Sequence, residues 1–254
     1  MTDINPNAAP RPPGADYQLE GRTVAAGRGW YWIVEAFAMF RKQPGIWILT
    51  AVILAVLVIV IGMIPLLGTF ASALLFPILA GGLMIGCKDL DRGGALELED
   101  LFAGFTQKTG DLVLVGAFNL FGWVVITFAA AAVIGGGVFM GVMRGDLTGA
   151  GISIASMLIA LLLVAGLSVP LYMATWFAPA LIVLQEMAAG AALKASFFAC
   201  LRNWIPFLVY GVVLLVLAIV AAIPFGLGYL VLVPVLAASI YTAYRDIFCA
   251  GQAT

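Results

Sequence analysis

Six long apolar segments dominate the sequence. They cover residues 45–62, 65–86, 112–143, 151–184, 205–223 and 227–244. About 20 apolar residues are enough for a helix to cross the hydrocarbon core of a bilayer. Inside a bilayer the backbone must satisfy its own hydrogen bonds, and a helix does so within one segment. The sequence therefore predicts an all-α polytopic membrane bundle of six transmembrane helices.

The composition agrees with this class and limits the partners. Only 10% of the residues are charged and 64% are hydrophobic, whereas about 25% of the residues of a soluble domain are charged. The net charge of −1 excludes a nucleic-acid binder, because such a protein presents a basic face. The expected partners are membrane lipids, together with a membrane-protein partner or a second copy of the chain.

Basic residues separate to one side of the six segments. Eleven of the 12 Lys and Arg residues precede the first segment, lie after the second or fourth, or follow the sixth, and Arg144 alone lies on the other side. Loops rich in Lys and Arg stay in the cytoplasm. The pattern predicts a multi-pass inner-membrane protein with cytoplasmic N- and C-termini. Residues 1–24 are polar and include four prolines, so we expect them to form a disordered cytoplasmic tail. We expect residues 25–254 to form a single transmembrane domain.

Three related stretches indicate an internal repeat. AFAMF at 36–40, LFAGF at 101–105 and FFACL at 197–201 each precede a helical hairpin. The hairpins end on CKDL at 87–90, LQEM at 184–187 and YRDI at 244–247. We therefore predict three parallel hairpin repeats, roughly 28–90, 96–187 and 190–248.

Each repeat is expected to begin with a cytoplasmic amphipathic helix that lies in the membrane interface. Apolar residues recur at helical spacing before each hairpin, which is typical of such helices. The predicted stripes are Trp30, Ile33, Val34, Phe37 and Phe40 in the first helix, Leu98, Leu101, Phe102 and Phe105 in the second, and Leu193, Phe197, Leu201 and Trp204 in the third.

The third and fourth segments are longer than a bilayer requires. Gly135–Gly137 and Pro170 are the predicted break points. Such breaks favour either a substrate site of the transporter kind, or a kink or short extramembrane extension of a packed helix. We favour the kink or extension because no polar group accompanies these positions. The second segment contains a pattern of small residues, which permits close helix approach and self-association. It consists of Gly81, Gly82 and Gly86.

Few side chains in the sequence are suited to chemistry. There is no histidine, and no ionisable residue lies well inside a predicted span, where it would mark a transport path. Three groups have both a functional and a structural interpretation. A thiolate metal site or apolar packing would explain Cys87, Cys200 and Cys249, and a cation site or a solvated helix face would explain Glu97, Glu99 and Asp100. A ligand contact or a helix contact would explain Asn119 and Ser168. We favour the structural interpretation for each, and expect no catalytic residue, cofactor or metal.

The stretch between the fourth and fifth segments carries the most distinctive pattern. An apolar run ends on an acidic residue, an alanine-rich helix follows, and an aromatic residue opens the next span. This pattern predicts a structural joint. Its candidate packing motif consists of Pro179, Glu186, Ser196, Phe197, Arg202 and Trp204.

This joint also carries a family resemblance. The segment WFAPALIVLQEMAAGAALKASFFACLRNW resembles a motif of bacterial inner-membrane proteins and of the membrane domain of some bacterial glycerophosphodiester phosphodiesterases, with Pro179, Glu186, Ala192, Ser196 and Trp204 at matching places. The opening GRTVAAGRGWYWIVEAFAMFRKQPGIWIL resembles six-span inner-membrane proteins of the BPSS type. The resemblance implies an inner-membrane protein without an assigned activity. The phosphodiesterase activity does not carry over, because its catalytic domain is absent from this sequence.

Two functions follow as expectations. The first is an inner-membrane scaffold, accessory subunit or assembly factor that acts through contacts with proteins and lipids. The alternative is a carrier or binder of a lipid or another apolar small molecule. A lipid-sized cavity open to the bilayer would favour the alternative.

Overall fold

The computed structural model describes residues 21–65, 67–143 and 154–249. In these ranges the chain is helical, and six of its helices are long and apolar enough to cross a membrane. The helices are α1 (Arg28–Lys42), α2 (Pro44–Gly62), α3 (Leu67–Asp91), a 3₁₀ helix (Leu98–Phe105), α4 (Thr109–Met143), α5 (Ile154–Thr175), α6 (Ala178–Gln185), α7 (Ala189–Arg202), α8 (Trp204–Ala222) and α9 (Tyr229–Phe248). The all-α six-span membrane bundle is confirmed.

Three short helices alternate with three hairpins. We call α1, the 3₁₀ helix and α7 the elbow helices, and they precede the hairpins α2–α3, α4–α5–α6 and α8–α9. Contacts join the elbow helices to the last turns of α3 and α9, as in the hydrogen bond from Lys42 Nζ to the Leu90 carbonyl (3.2 Å). The three elbow helices therefore share one end of the bundle, the elbow end, and the hairpins α2–α3 and α8–α9 turn at the opposite, tip end.

The second helices of the first and third hairpins, and α6 in the middle one, lie towards the centre. A larger share of α3 and α9 is buried than of α2 and α8, and every residue of α6 from Ala178 to Leu184 is buried. The elbow helices then pack in a consistent order. The 3₁₀ helix packs on α3, α7 packs on α5 and α6, and α1 packs on α9 and α8. Each elbow helix thus contacts the preceding hairpin, and α1 closes the circle on the last one.

This cyclic order is what three parallel repeats would produce, although the repeat itself stays a prediction. Of the predicted tail, only residues 21–24 are described, and they lie against the elbow end. The Arg22 backbone N–H donates to the Ile247 carbonyl (2.8 Å). Residues 1–20 and Arg144 lie outside the described residues.

Glycines let the 3₁₀ helix approach α3 closely. A Cβ on Gly82 would collide with the carbonyl oxygen of Asp100, and a Cβ on Gly104 would collide with that of Ile78. A side chain at either position would separate the two helices, because backbone atoms cannot yield as side-chain atoms do. In this structure the small-residue pattern of α3 therefore serves contacts within one chain.

The predicted apolar stripes of the elbow helices differ from the observed faces. In α1, Ile33 and Phe40 are buried, whereas Trp30, Val34 and Phe37 are exposed. The helix is apolar on two sides because one side packs on α9 and α8 and the other faces outward. In α7 the buried side consists of alanines, Ser196 and Cys200, while Leu201 and Trp204 of the predicted stripe are exposed.

The predicted break points are wrong. Helix α4 continues through Gly135–Gly137, and α5 continues through Pro170. At about 1.5 Å per residue, the 35 residues of α4 span about 52 Å without interruption. The break occurs instead in the fourth segment, at Trp176 and Phe177 between α5 and α6. The sequence signal of a loose glycine run was misleading, because the break depends on a contact with another helix.

The hydrophobic core lies at the elbow end. The largest fully buried side chains include Trp32, Trp47, Phe177 and Phe248, and all belong to elbow helices or to the adjoining turns of the spans. Towards the tip end, large apolar side chains such as Ile59, Phe128, Leu162 and Ile219 are more than half exposed. Among the described residues, the two ends of the bundle therefore differ strongly in packing.

Candidate functional site

A serine of α7 supplies the hydrogen bonds that two backbone groups lose at the break in the fourth segment. The Phe177 backbone N–H donates to Ser196 Oγ (3.0 Å), and Ser196 Oγ–H donates to the Met173 carbonyl (2.7 Å). In an unbroken helix, Phe177 would donate directly to Met173, which lies four residues earlier. Ser196 thus inserts its hydroxyl into the hydrogen-bond ladder. Both groups stay satisfied while the segment changes direction.

Residues around the break explain why it occurs there. Pro179 lies in the first turn of α6 and has no N–H to donate, so a helix can begin there but cannot pass through without losing a bond. The ring of Phe177 packs against those of Phe207 (5.8 Å between centroids) and Phe248 (5.5 Å). Trp176 packs against Phe207 at 6.2 Å. The break therefore places two aromatic rings in contact with α8 and α9.

The structure separates the predicted packing motif into two groups. Pro179 and Ser196 both lie buried at the break. Glu186 ends α6 in the left-handed region, with φ at +55°, and its side chain is exposed. Arg202 and Trp204 are exposed as well, and Phe197 is half-buried. Of the six residues, Ser196 and Pro179 therefore lie buried at the break and the other four are exposed or half-buried, and the role of the motif as a structural joint stays a prediction.

A buried carboxylate at the end of α9 forms a second centre that sequence reasoning missed. Asp246 accepts hydrogen bonds from Arg22 Nη2 (2.6 Å), Arg28 Nε (2.6 Å) and Trp32 Nε1 (2.9 Å). Its side chain is 7% exposed. A buried charge is tolerated only when it is paired and hydrogen-bonded, and three donors meet this need. Asp246 therefore ties the start of the described chain and α1 to α9.

Further ion pairs extend this centre across the elbow end. Arg28 Nη2 contacts Glu35 (2.8 Å), and Arg245 contacts both Glu35 (2.7 Å) and Asp91 (2.8 Å). Burial lowers the pKa of Arg28, but the hydrogen bond to Asp246 and the charges of Asp246 and Glu35 raise that pKa above its usual value. We call the whole group the elbow ion network: Arg22, Arg28, Glu35, Asp91, Arg245 and Asp246. Its three cations and three anions balance, which suits a structural clamp.

Three hydrogen bonds connect the elbows in a circle. In each, a side-chain oxygen beside the start of a hairpin accepts the backbone N–H at or just before the next elbow helix. The pairs are Gln43 with Leu96 (2.8 Å), Asp111 with Ala189 (2.9 Å) and Asn203 with Val24 (2.8 Å). Asn203 is fully buried. These bonds fix the order of the elbow helices. Their side chains lie outside the short stretches that indicate the repeat in the sequence.

The other candidate groups have local roles. Asp100 accepts the Glu97 backbone N–H (2.8 Å) and caps the 3₁₀ helix, and Ser168 Oγ–H donates to the Ala165 carbonyl of its own helix. Asn119 is half-buried on α4. Among the described residues, no group of three or more potential ligands could hold a metal ion. Burial raises the pKa of Cys200 to about 12 and also raises the pKa of Cys249, so both thiols are protonated at neutral pH.

Comparisons with known proteins agree with this architecture. A protein of Burkholderia thailandensis described as a probable inner membrane protein is 29% identical over 215 residues, which cover 82% of this chain and 78% of the relative. No protein-family model matches the chain, and no solved structure matches it. The chain is a multi-pass protein of the bacterial inner membrane, on the strength of this likeness and the six apolar helices.

Two apolar grooves open on the outer surface of the bundle. The first has a volume of about 490 Å³, lies between α4, α5 and α7, and includes Lys194 in its lining. We call it the Lys194 groove. The second, which we call the α1 groove, has a volume of about 460 Å³ and lies between α1, α8 and α9. Both volumes fall within the range of about 300–1,000 Å³ that is typical of small-ligand sites.

Proposed function

We propose that this protein is a non-catalytic inner-membrane scaffold, accessory subunit or assembly factor, which acts through contacts along its hairpins. The proposal rests mainly on the contrast between the two ends of the bundle. The elbow end is closed by a hydrophobic core and the elbow ion network. Towards the tip end the hairpins expose large apolar side chains, such as Phe128 and Ile219.

The close packing of the elbow end supports this proposal. Lipid chains are as apolar as leucine, so helices in a bilayer associate through close packing and polar contacts rather than through the hydrophobic effect. The elbow end contains both kinds of contact. A partner helix could pack along the exposed faces of α2, α4 or α8 without displacing any part of that core.

We further propose that the elbow end faces the cytoplasm, as the basic residues in its loops predict. The relation to the membrane domain of bacterial glycerophosphodiester phosphodiesterases is also a proposal. Pro179, Glu186, Ser196 and Trp204 at matching places support it, and the role of Ser196 at the break gives the shared pattern a structural reason.

Extraction from native membranes tests the leading proposal. The protein is taken up in polymer nanodiscs, which retain surrounding lipids, and proteins and lipids are identified together by mass spectrometry. We expect one membrane protein at a fixed ratio to this chain after size-exclusion chromatography. Wild-type protein that elutes alone, with lipids in their bulk proportions, would contradict the proposal.

Binding of a lipid is the second candidate function, favoured by the two grooves. They lie on the outside of the bundle and their linings are almost entirely apolar. Their position on the outside of the bundle favours binding of a lipid over its transport across the membrane.

A further inference from the structure

We propose that the Lys194 groove binds an anionic phospholipid from the leaflet that borders the elbow end. The acyl chain would lie in the groove and the phosphate beside the Lys194 ammonium. This inference rests on the second candidate function, lipid binding, and specifies the class of lipid and its site.

The arrangement of the lining residues supports this occupant. Leu193, Lys194 and Phe197 come from elbow helix α7, so the cation lies at the elbow end of the groove. The groove then follows α4 from Phe118 to Ile126, about 12 Å at 1.5 Å per residue. The groove thus has a charged group at one end and an apolar channel that runs from it towards the tip end. This arrangement matches a phospholipid, which has a charged head group and an apolar chain.

Charge selects the kind of lipid. Lys194 is the one charged residue among the described residues that line the groove, and its side chain is exposed. A lysine at a membrane surface attracts anionic lipid head groups by an amount that corresponds to about a fivefold gain in affinity. A zwitterionic lipid with the same chains would fit the channel but would gain less from Lys194.

The chain contains its own control for this proposal. The α1 groove is almost equal in volume, at about 460 Å³, and every residue in its lining is uncharged. If groove shape alone determined binding, both grooves would hold anionic and zwitterionic lipids equally. If Lys194 provides the selection, only the first groove distinguishes the two.

Competition between two lipids measures this selection. Purified full-length protein is titrated with phosphatidylglycerol and phosphatidylcholine of identical chains, and bound lipid is counted by native mass spectrometry. We expect the Lys194 groove to prefer phosphatidylglycerol about fivefold, so that the wild-type protein, which has both grooves, binds more of this lipid than of phosphatidylcholine. Lys194→Gln should reduce this preference to about one. Arg41→Gln, which removes an exposed charge from α1, should preserve it.

A pair of groove-filling variants provides the second readout. Val125→Trp fills the Lys194 groove and Val220→Trp fills the α1 groove, and both side chains are about half exposed in the wild type. Neither change disturbs the core. We expect Val125→Trp to abolish the preference for phosphatidylglycerol and Val220→Trp to retain it.

The outcomes separate the two proposals. Equal binding of both lipids to the wild type, or an unchanged preference in Lys194→Gln or Val125→Trp, would overturn the anionic-lipid site alone. Failure of the wild type to retain either lipid would overturn the second candidate function as well.

Discussion

Replacing Asp246 by asparagine is expected to destabilise the protein by about 3 kcal/mol. The substitution keeps the shape of the side chain but removes the charge that Arg22, Arg28 and Trp32 surround. Breaking a buried ion pair costs about 3–5 kcal/mol. We expect the lower value because Arg22 and Arg28 are 41% and 32% exposed, so water solvates them in part. For a protein of this size the midpoint of thermal unfolding should fall by roughly 6–12 °C.

Asp89→Asn is the matched control for this experiment. Asp89 holds the corresponding place in the CKDL stop of the first repeat, but its side chain is exposed. A surface substitution of this kind changes stability by at most about 0.5 kcal/mol. Unfolding in mild detergent is followed by the fluorescence of the six tryptophans. Equal midpoints for Asp246→Asn and Asp89→Asn would show that the elbow ion network does not hold the bundle together.

Replacing Ser196 by alanine is expected to destabilise the protein by about 2–4 kcal/mol. The change leaves the Phe177 N–H and the Met173 carbonyl without the hydroxyl that joins them. Each unsatisfied buried group costs about 1–3 kcal/mol. The two groups could bond directly only if the segment straightened, and this would withdraw Phe177 from its contacts with Phe207 and Phe248. Both responses lower the stability.

Ser72→Ala provides the comparison for Ser196→Ala. The Ser72 hydroxyl donates to the Gly68 carbonyl within its own helix, and it bridges no break in that helix. Its removal should therefore lower the free energy of unfolding by less than about 0.5 kcal/mol. The measurement is again the unfolding midpoint in mild detergent. If the two alanine variants unfolded at the same temperature, Ser196 would have no special role at the break.

Much of the fold follows from hydrophobic patterning. The six spans, the short helices before the hairpins and the alternation between them can all be predicted, because long apolar segments have few structural solutions in a bilayer. The spacing of Ala192, Ala195 and Ala199 also places these three alanines on one side of α7, and all three are buried.

Contacts between distant parts of the chain could not be predicted in this way. The break at Trp176 and Phe177 depends on Ser196, about 20 residues later, and on aromatic rings from α8 and α9. Asp246 looks like an ordinary charge at the end of a span, yet its partners Arg22 and Arg28 lie more than 200 residues earlier. Periodicity reports which side of a helix is apolar, but it does not report which distant side chain completes a hydrogen bond.

A scaffold of this kind should contact another protein through the tip-end faces of its hairpins. A photoreactive phenylalanine analogue, incorporated at single positions in native membranes, detects such a contact. Ile59, Phe139 and Ile219 lie towards the tip end of α2, α4 and α8, and Leu49, Leu114 and Leu208 are exposed towards the elbow end of the same helices. We expect adducts with one protein, enriched at the first three positions. Adducts with lipid alone at all six positions would show that these faces contact no partner protein.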